Sequence, residues 1–118
     1  MRISELARLT GLAPSAIRYY EQQDMFSTGQ ILRQSNGYRD YTSGAQRRLE
    51  LILAGRVAGF SLVQMRERMR DWDEMTAEQR VVLLEKQLEV IEERIADLQR
   101  GRATVCKAIT ELETRRFG

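Results

Sequence analysis

The sequence predicts a mainly α-helical chain: a winged helix-turn-helix domain with a small β-hairpin wing over residues 1–75, then one long coiled-coil helix with a short tail over 76–118. Three observations predict it. The only Pro and six of the eight Gly fall in the first 60 residues, whereas residues 76–118 hold only Gly101 and Gly118 as breakers. From Val81 to Leu112 aliphatic residues recur at alternating intervals of three and four. The charge is also divided: residues 1–70 carry 11 Arg against 6 acids and residues 71–118 carry 8 basic against 11 acidic, inside a formal total of only +2. Such an asymmetry implies two halves with different partners.

Ser4 is the expected N-cap of a short first helix through Leu6 and Leu9, ended by the Gly11 turn. Pro14 suits the first turn of a second helix. Ile17 and Tyr20 lie on its apolar face, and Ser15, Arg18, Tyr19 and Gln22 share another. Two short helices about a glycine turn form a helix-turn-helix. Strand-like pieces at Ile31 to Arg33 and Tyr38 to Tyr41 flank Ser35-Asn36-Gly37, where Asn-Gly signals a type I′ hairpin with both central residues at positive φ. This hairpin is the candidate wing. A third helix follows from about Thr42 or Ser43 to Ala58, stopping at Gly59. Ser61-x-x-Gln64 and Thr76-x-x-Gln79 are capping boxes that open a fourth helix and the long last one.

In that last helix Val81, Leu84, Leu88, Ile91, Ile95, Leu98, Arg102, Val105, Ile109 and Leu112 form an a/d seam broken only by Arg102. Burying each aliphatic member is worth roughly 1.5–3 kcal/mol, so the seam calls for a second copy of the chain rather than a fold-back onto its own domain.

Composition narrows the chemistry. With 118 residues, no His and one Cys, the chain lacks a Ser-His-Asp or Cys-His nucleophile and a tetrahedral His/Cys metal set, so an enzyme and a resident cofactor are not expected. One thiol, no signal-peptide pattern and no apolar run of about 18 residues point to a cytoplasmic, non-membrane protein. Arg18 and Tyr19 on the second helix, with Arg33, Tyr38, Arg39 and Tyr41 around the hairpin, supply guanidinium forks and phenolic hydroxyls. Those groups suit double-stranded DNA, with a helix in the major groove and a wing on the backbone. The bland reading of the same residues is a solvated surface with tyrosines in the core, which fits Tyr20 best.

Thr10-Gly11-Leu12, Ile17-Arg18-Tyr19-Tyr20-Glu21, Asn36-Gly37-Tyr38-Arg39-Asp40-Tyr41 and Ala58-Gly59-Phe60-Ser61-Leu62 resemble, in order and spacing, the signature of the MerR family of bacterial transcription regulators. The resemblance covers residues 1 to about 70, with the family's dimerisation helix after them. It implies an antiparallel coiled-coil homodimer on a palindromic operator, which bends and untwists promoter DNA to realign it for RNA polymerase. Carried over by position, Ser15, Arg18 and Tyr19 match the recognition helix, Tyr38 and Arg39 the phosphate-contacting wing, and Arg33 its first strand. The chain departs from the pattern at Ala13, where a Ser or Thr cap is usual, at Ser15, where a basic residue is common, and at Asp24, where Gly is usual. The stretch from Ser27 to Leu32 also lacks the usual prolines.

The effector end is thinner. The chain reads as a short member without a ligand-binding domain. Leu112 stands near the position of the metal sensors' first Cys, which disfavours metal sensing, and a four-cysteine cluster is excluded by count. Cys106, at heptad position e, is either a half-buried small residue or a redox or electrophile sensor. Arg102 either snorkels out of the seam or pairs across the dimer with Glu92 or Asp97. Two rivals to a regulator remain: an effector-independent architectural or excisionase-like DNA-binding protein, and a coiled-coil adaptor that binds protein.

Overall fold

The computed structural model describes residues 1–117, in two compact units, Met1–Arg80 and the chain from Val81 onward. The first unit holds α1 (Ile3–Thr10), α2 (Pro14–Gln22), β1 (Ile31–Arg33), β2 (Arg39–Tyr41), α3 (Ser43–Val57) and α4 (Leu62–Glu74); the last helix, α5 (Ala77–Phe117), begins in it and makes up the second. The mainly helical architecture with one antiparallel hairpin is the one the sequence predicts.

Each helix of the first unit contributes an apolar stripe to one core. Leu6 and Ala7 of α1, Ile17 of α2, Ala45, Leu49 and Ile52 of α3, and Met65 and Met69 of α4 are buried there together with Met25 and Tyr41. Turn chemistry sets the directions. Gly11 caps α1 at φ 73°, and Asp24 adopts φ 56° after α2, where its amide and that of Met25 bond the carbonyls of Glu21 and Tyr20. Aspartate tolerates this left-handed conformation, so the residue standing in place of the family's usual Gly still reverses the chain and sends Met25 inward. Where α3 crosses α4, Gly55 is buried, and a Cβ there would run into the Met65 sulfur. A side chain there would have to displace the buried Met65 thioether.

Both capping boxes form. Ser61 and Gln64 bond each other's backbone amides, as do Thr76 and Gln79. Two expectations are corrected. The first helix starts at Ile3 with Arg2 as N-cap and no side-chain cap bond, so Ser4 is a first-turn residue and not the cap. The hairpin turn is not type I′. Only Gly37 has positive φ, the Gly37 amide bonds the Gln34 carbonyl at 2.9 Å, and the Gln34 amide bonds the Tyr38 carbonyl at 2.8 Å. That is a three-residue loop ending on a left-handed glycine, the next commonest hairpin solution. It also explains why Tyr38 lies outside β2.

One arginine of the amino-terminal half, Arg48, which the sequence does not single out, is internal. Arg48 is only 3% exposed. Its guanidinium donates to the Met69 carbonyl at 3.2 Å, pairs with Asp73 and reaches the Ser27 hydroxyl, which itself bonds Asp73. One buried cation thus ties α3, the end of α4 and the approach to β1. Removing the carboxylate would strand that charge. Because Asp73 is 40% exposed, water replaces part of its role, and Asp73→Ala should cost about 2–3 kcal/mol. Urea unfolding at fixed protein concentration checks this. The neighbouring exposed substitution Glu74→Ala should stay within about 0.5 kcal/mol of the parent.

Candidate nucleic-acid interface

The first helix-turn-helix places α2 with one face inward and one face out. Ile17 is fully buried and Tyr20 packs against the core, whereas Ser15, Arg18, Tyr19 and Gln22 are all exposed. An exposed row at i, i+3, i+4 and i+7 on a short helix is the geometry needed to enter a major groove.

Beside α2 the β-hairpin stands out from the unit. Ile31 pairs with Tyr41, Leu32 with Asp40 and Arg33 with Arg39. Two arginines directly opposite each other are unfavourable in an isolated sheet. The conflict is relieved on one side only. Arg39 Nε donates to Glu21 Oε1 on α2 at 2.8 Å, while Arg33 stays exposed. Hydrogen bonding to Glu21, and then that carboxylate's charge, push the Arg39 pKa upward. The carboxylate holds the guanidinium in place through Nε, and Arg39 still lines the groove between α2 and the hairpin.

That groove has a volume of about 370 Å³ and is lined by Arg2, Ile3, Ser4, Arg18, Gly37, Tyr38, Arg39 and Tyr41. The Arg2 guanidinium lies 4.2 Å from the centre of the Tyr38 ring, a cation–π contact that holds both side chains at the mouth. Three arginines and an exposed phenol converge here, a polar, cationic concavity fitted to phosphate oxygens. Of the residues singled out in the sequence, Arg18, Tyr38 and Arg39 meet in this groove. Ser15 and Tyr19 lie on the exposed face of α2, and Arg33 on β1, outside its lining. Tyr41 is corrected: it is 1% exposed, its hydroxyl stands 3.4 Å from Glu21 Oε2, and burial, then the Glu21 charge, raise its pKa. It is a core residue rather than a phosphate ligand. Arg2 and Glu21 were missed. Glu21 sits one turn from Arg18 in a motif read for its basic and aromatic members, and Arg2 carried no periodic signal ahead of the first helix.

Helices α3 and α4 form a second helical pair about Gly59, which has φ 99°. Arg56 Nη1 bonds the Phe60 carbonyl at 3.1 Å, and the Arg68 guanidinium lies 3.9 Å from the centre of the Phe60 ring.

With this geometry in place, comparison with known proteins is decisive. The MerR HTH family regulatory protein model matches residues 1–72, and a second model, MerR, DNA binding, matches residues 46–106. The chain belongs to the MerR family. Among its relatives, the HTH-type transcriptional regulator ZntR of Escherichia coli K12 is 37% identical over 101 residues, covering 83% of this chain and 70% of ZntR. The probable heavy metal-dependent transcriptional regulator of Haemophilus influenzae is 32% identical over 109 residues, covering 84% and 83%. The crystal structure of HiNmlR, a MerR family regulator lacking the sensor domain, bound to promoter DNA, shares the fold with a TM-score of 0.73 at 22% identity, covering 85% of this chain and 76% of that one. A MerR family regulator from Bacillus thuringiensis aligns with a TM-score of 0.78 at 24% identity, covering 94% and 97%. This MerR-family chain is a dimeric, DNA-binding transcription regulator and not an enzyme.

Arg18 on α2 and Arg39 on the hairpin line the same groove, and substitution can tell base reading from backbone contact. Arg18→Ala should cost roughly 1–3 kcal/mol on the operator and relax its specificity, whereas Arg39→Ala should weaken all duplexes alike and lower the salt slope by about one. Titrations of operator and scrambled duplex over a salt series measure both. Equal specificity ratios for the two variants would reverse the assignment.

Proposed function

We propose that the chain acts in the cytoplasm as an antiparallel coiled-coil homodimer on a palindromic operator. The α2 helices enter successive major grooves, the wings grip the flanking backbone, and the distorted promoter is presented to RNA polymerase. Ser15, Arg18 and Tyr19 read the groove. Arg33, Tyr38 and Arg39, with Arg2, hold phosphates. The observation that carries the reading is the cationic groove between α2 and the hairpin, in a chain whose last helix leaves an apolar seam open.

Val81, Leu84, Leu88, Ile95, Leu98, Val105, Ile109 and Leu112 are all exposed, Leu98 by 72%, and Ile91 is half-buried. No helix among the described residues is long and apolar enough to cross a membrane. Arg102 supports the antiparallel orientation. In a parallel, in-register dimer each layer meets its own copy, and two guanidinium groups would face each other within an apolar seam. Antiparallel pairing over the full seam sets Val81 against Leu112, Leu84 against Ile109, Leu88 against Val105, Ile95 against Leu98 and Arg102 against Ile91. Glu92 of the second copy then neighbours Arg102, which supports a cross-dimer pair as the device that fixes register.

The name of the Haemophilus relative does not transfer its ligand. This chain has no His, its only thiol is Cys106, and no group of three or more His, Cys, Asp or Glu that could hold a metal is found among the described residues.

Footprinting of the purified dimer on the promoter beside its own gene should protect two half-sites related by a dyad. A steep salt dependence with little preference for any site would instead favour an architectural binder. Binding to no duplex at low salt would favour a protein-binding adaptor. Orientation has its own check. In the antiparallel register the two Cys106 residues stand about 28 Å apart along the rod at 1.5 Å per residue, far beyond disulfide reach. Oxidation with diamide should leave the dimer uncrosslinked, and a rapid disulfide within the dimer would overturn the antiparallel arrangement.

A further inference from the structure

A second concavity lies in the amino-terminal unit and shares no residue with the groove at α2 and the hairpin. It has a volume of about 270 Å³ and is walled by Gln30 ahead of β1, Arg47, Arg48 and Leu51 of α3, Trp72 of α4 and Arg80 in the first turns of α5. Three of these residues are arginines and none is acidic. Arg48 is already neutralised by Asp73, but the other two are not. Arg47 is exposed and makes no hydrogen bond or ion pair among the described residues.

Arg80 is held in place without losing its charge. Its Nε and Nη2 both donate to the Trp72 carbonyl, at 3.0 and 2.8 Å, and its guanidinium lies 4.8 Å from the centre of the indole ring. A carbonyl and an aromatic face orient the fork but supply no counter-charge, and Nη1 stays available. Gln30 accepts the Ser27 amide through Oε1, which leaves its side-chain nitrogen as another donor. Half-buried Leu51 and Trp72 give the pocket an apolar wall. Two uncompensated guanidinium groups match a dianion, and the wall has room for an organic remainder.

We propose that this pocket binds the phosphate group of a small molecule, with Arg47 and Arg80 as its ligands. The site is concave, and it is built from α3, α4 and the start of α5 rather than from the α2 face and wing that meet DNA. An occupant there would bridge the base of the hairpin to the start of the dimer helix, which makes it an entry point for a metabolite signal. The role as an effector site rests on the regulator reading above; binding itself does not.

The test titrates the full-length dimer with inorganic phosphate and with phenyl phosphate at constant ionic strength. Calorimetry and thermal unfolding are the readouts, and acetate is the monoanion control. The parent protein should show saturable binding and a rise in Tm with both phosphates, more with phenyl phosphate, and little response to acetate. Arg47→Ala should raise the apparent Kd at least tenfold while its unliganded Tm stays within a few degrees of the parent. Arg47→Lys should recover only part of the affinity. Equal responses of the parent and Arg47→Ala, or of phosphate and acetate, would overturn the proposal. Operator affinity of Arg47→Ala, measured without phosphate over a salt series, should equal the parent's. A loss with a shallower salt slope would make Arg47 a DNA-backbone contact and overturn the small-molecule site. The anion titration needs no DNA, so a failure of operator binding in the parent protein is distinguishable from a failure of this site.

Discussion

The buried guanidinium of Arg48 is the constraint on which the amino-terminal unit depends. Its partners come from two separated stretches, Ser27 before β1 and the last turns of α4, where Met69 and Asp73 lie one turn apart. A hydrophobic side chain in its place would fill the volume but specify none of these neighbours. Desolvating a charge is costly and is offset only when each donor finds its acceptor, so the pair contributes to uniqueness of arrangement more than to net stability. The consequence reaches the DNA side. The hairpin grows from the segment that Ser27 and Gln30 anchor, and Thr42, the N-cap of α3, bonds the Gln30 carbonyl through both its amide and its hydroxyl. The wing is thus tied to the core at its base, while Tyr38 at its tip is 57% exposed and touches Arg2.

Charge at that tip is arranged against the rules of an isolated protein. Arg33 and Arg39 oppose each other across the strands, and Arg2 and Arg18 add to the same side. Glu21 offsets one of these charges and orients it. Arg33, Arg2 and Arg18 keep their charge on this side, which suits a polyanion. The same logic applies to the seam of α5, where apolar residues at a and d positions meet nothing that one copy of the chain can offer along the helix.

Much of this was legible in the sequence because it rests on local codes. The capping boxes, the Gly11 and Gly59 turns, the Pro14 helix start and the a/d seam are short-range patterns with one dominant physical outcome each. The features that escaped are those decided by tertiary contact. Arg48 reads like the other arginines of the first half, and only the arrival of Asp73 and the Met69 carbonyl from a distant helix makes burial tolerable. Tyr41 and Tyr38 offer the same phenol, but at an odd separation in an extended segment they fall on opposite faces, one ring in the core and the other exposed. The hairpin turn failed for a smaller reason. Asn-Gly signals a two-residue loop, but the register of Gln34 with Tyr38 allots three residues to the bend, and a single left-handed glycine then suffices.

The junction of α4 and α5 is where the two functions of the chain meet. Met75 leaves the helical conformation, and its amide bonds the Trp72 carbonyl. That same carbonyl accepts two bonds from Arg80, and the Thr76–Gln79 box satisfies the first amides of the new helix. Orphan backbone groups at the end of one helix and the start of the next are therefore paired within a few residues, without a flexible linker. It follows that the first turn of α5 belongs to the DNA-binding unit, in keeping with the division of the chain after Arg80. Any group that binds between Arg47 and Arg80 acts on this junction directly, because Arg80 is both its ligand and the clasp on Trp72. A small anion held there would bear on how the dimer helix begins through the same clasp that joins α4 to α5.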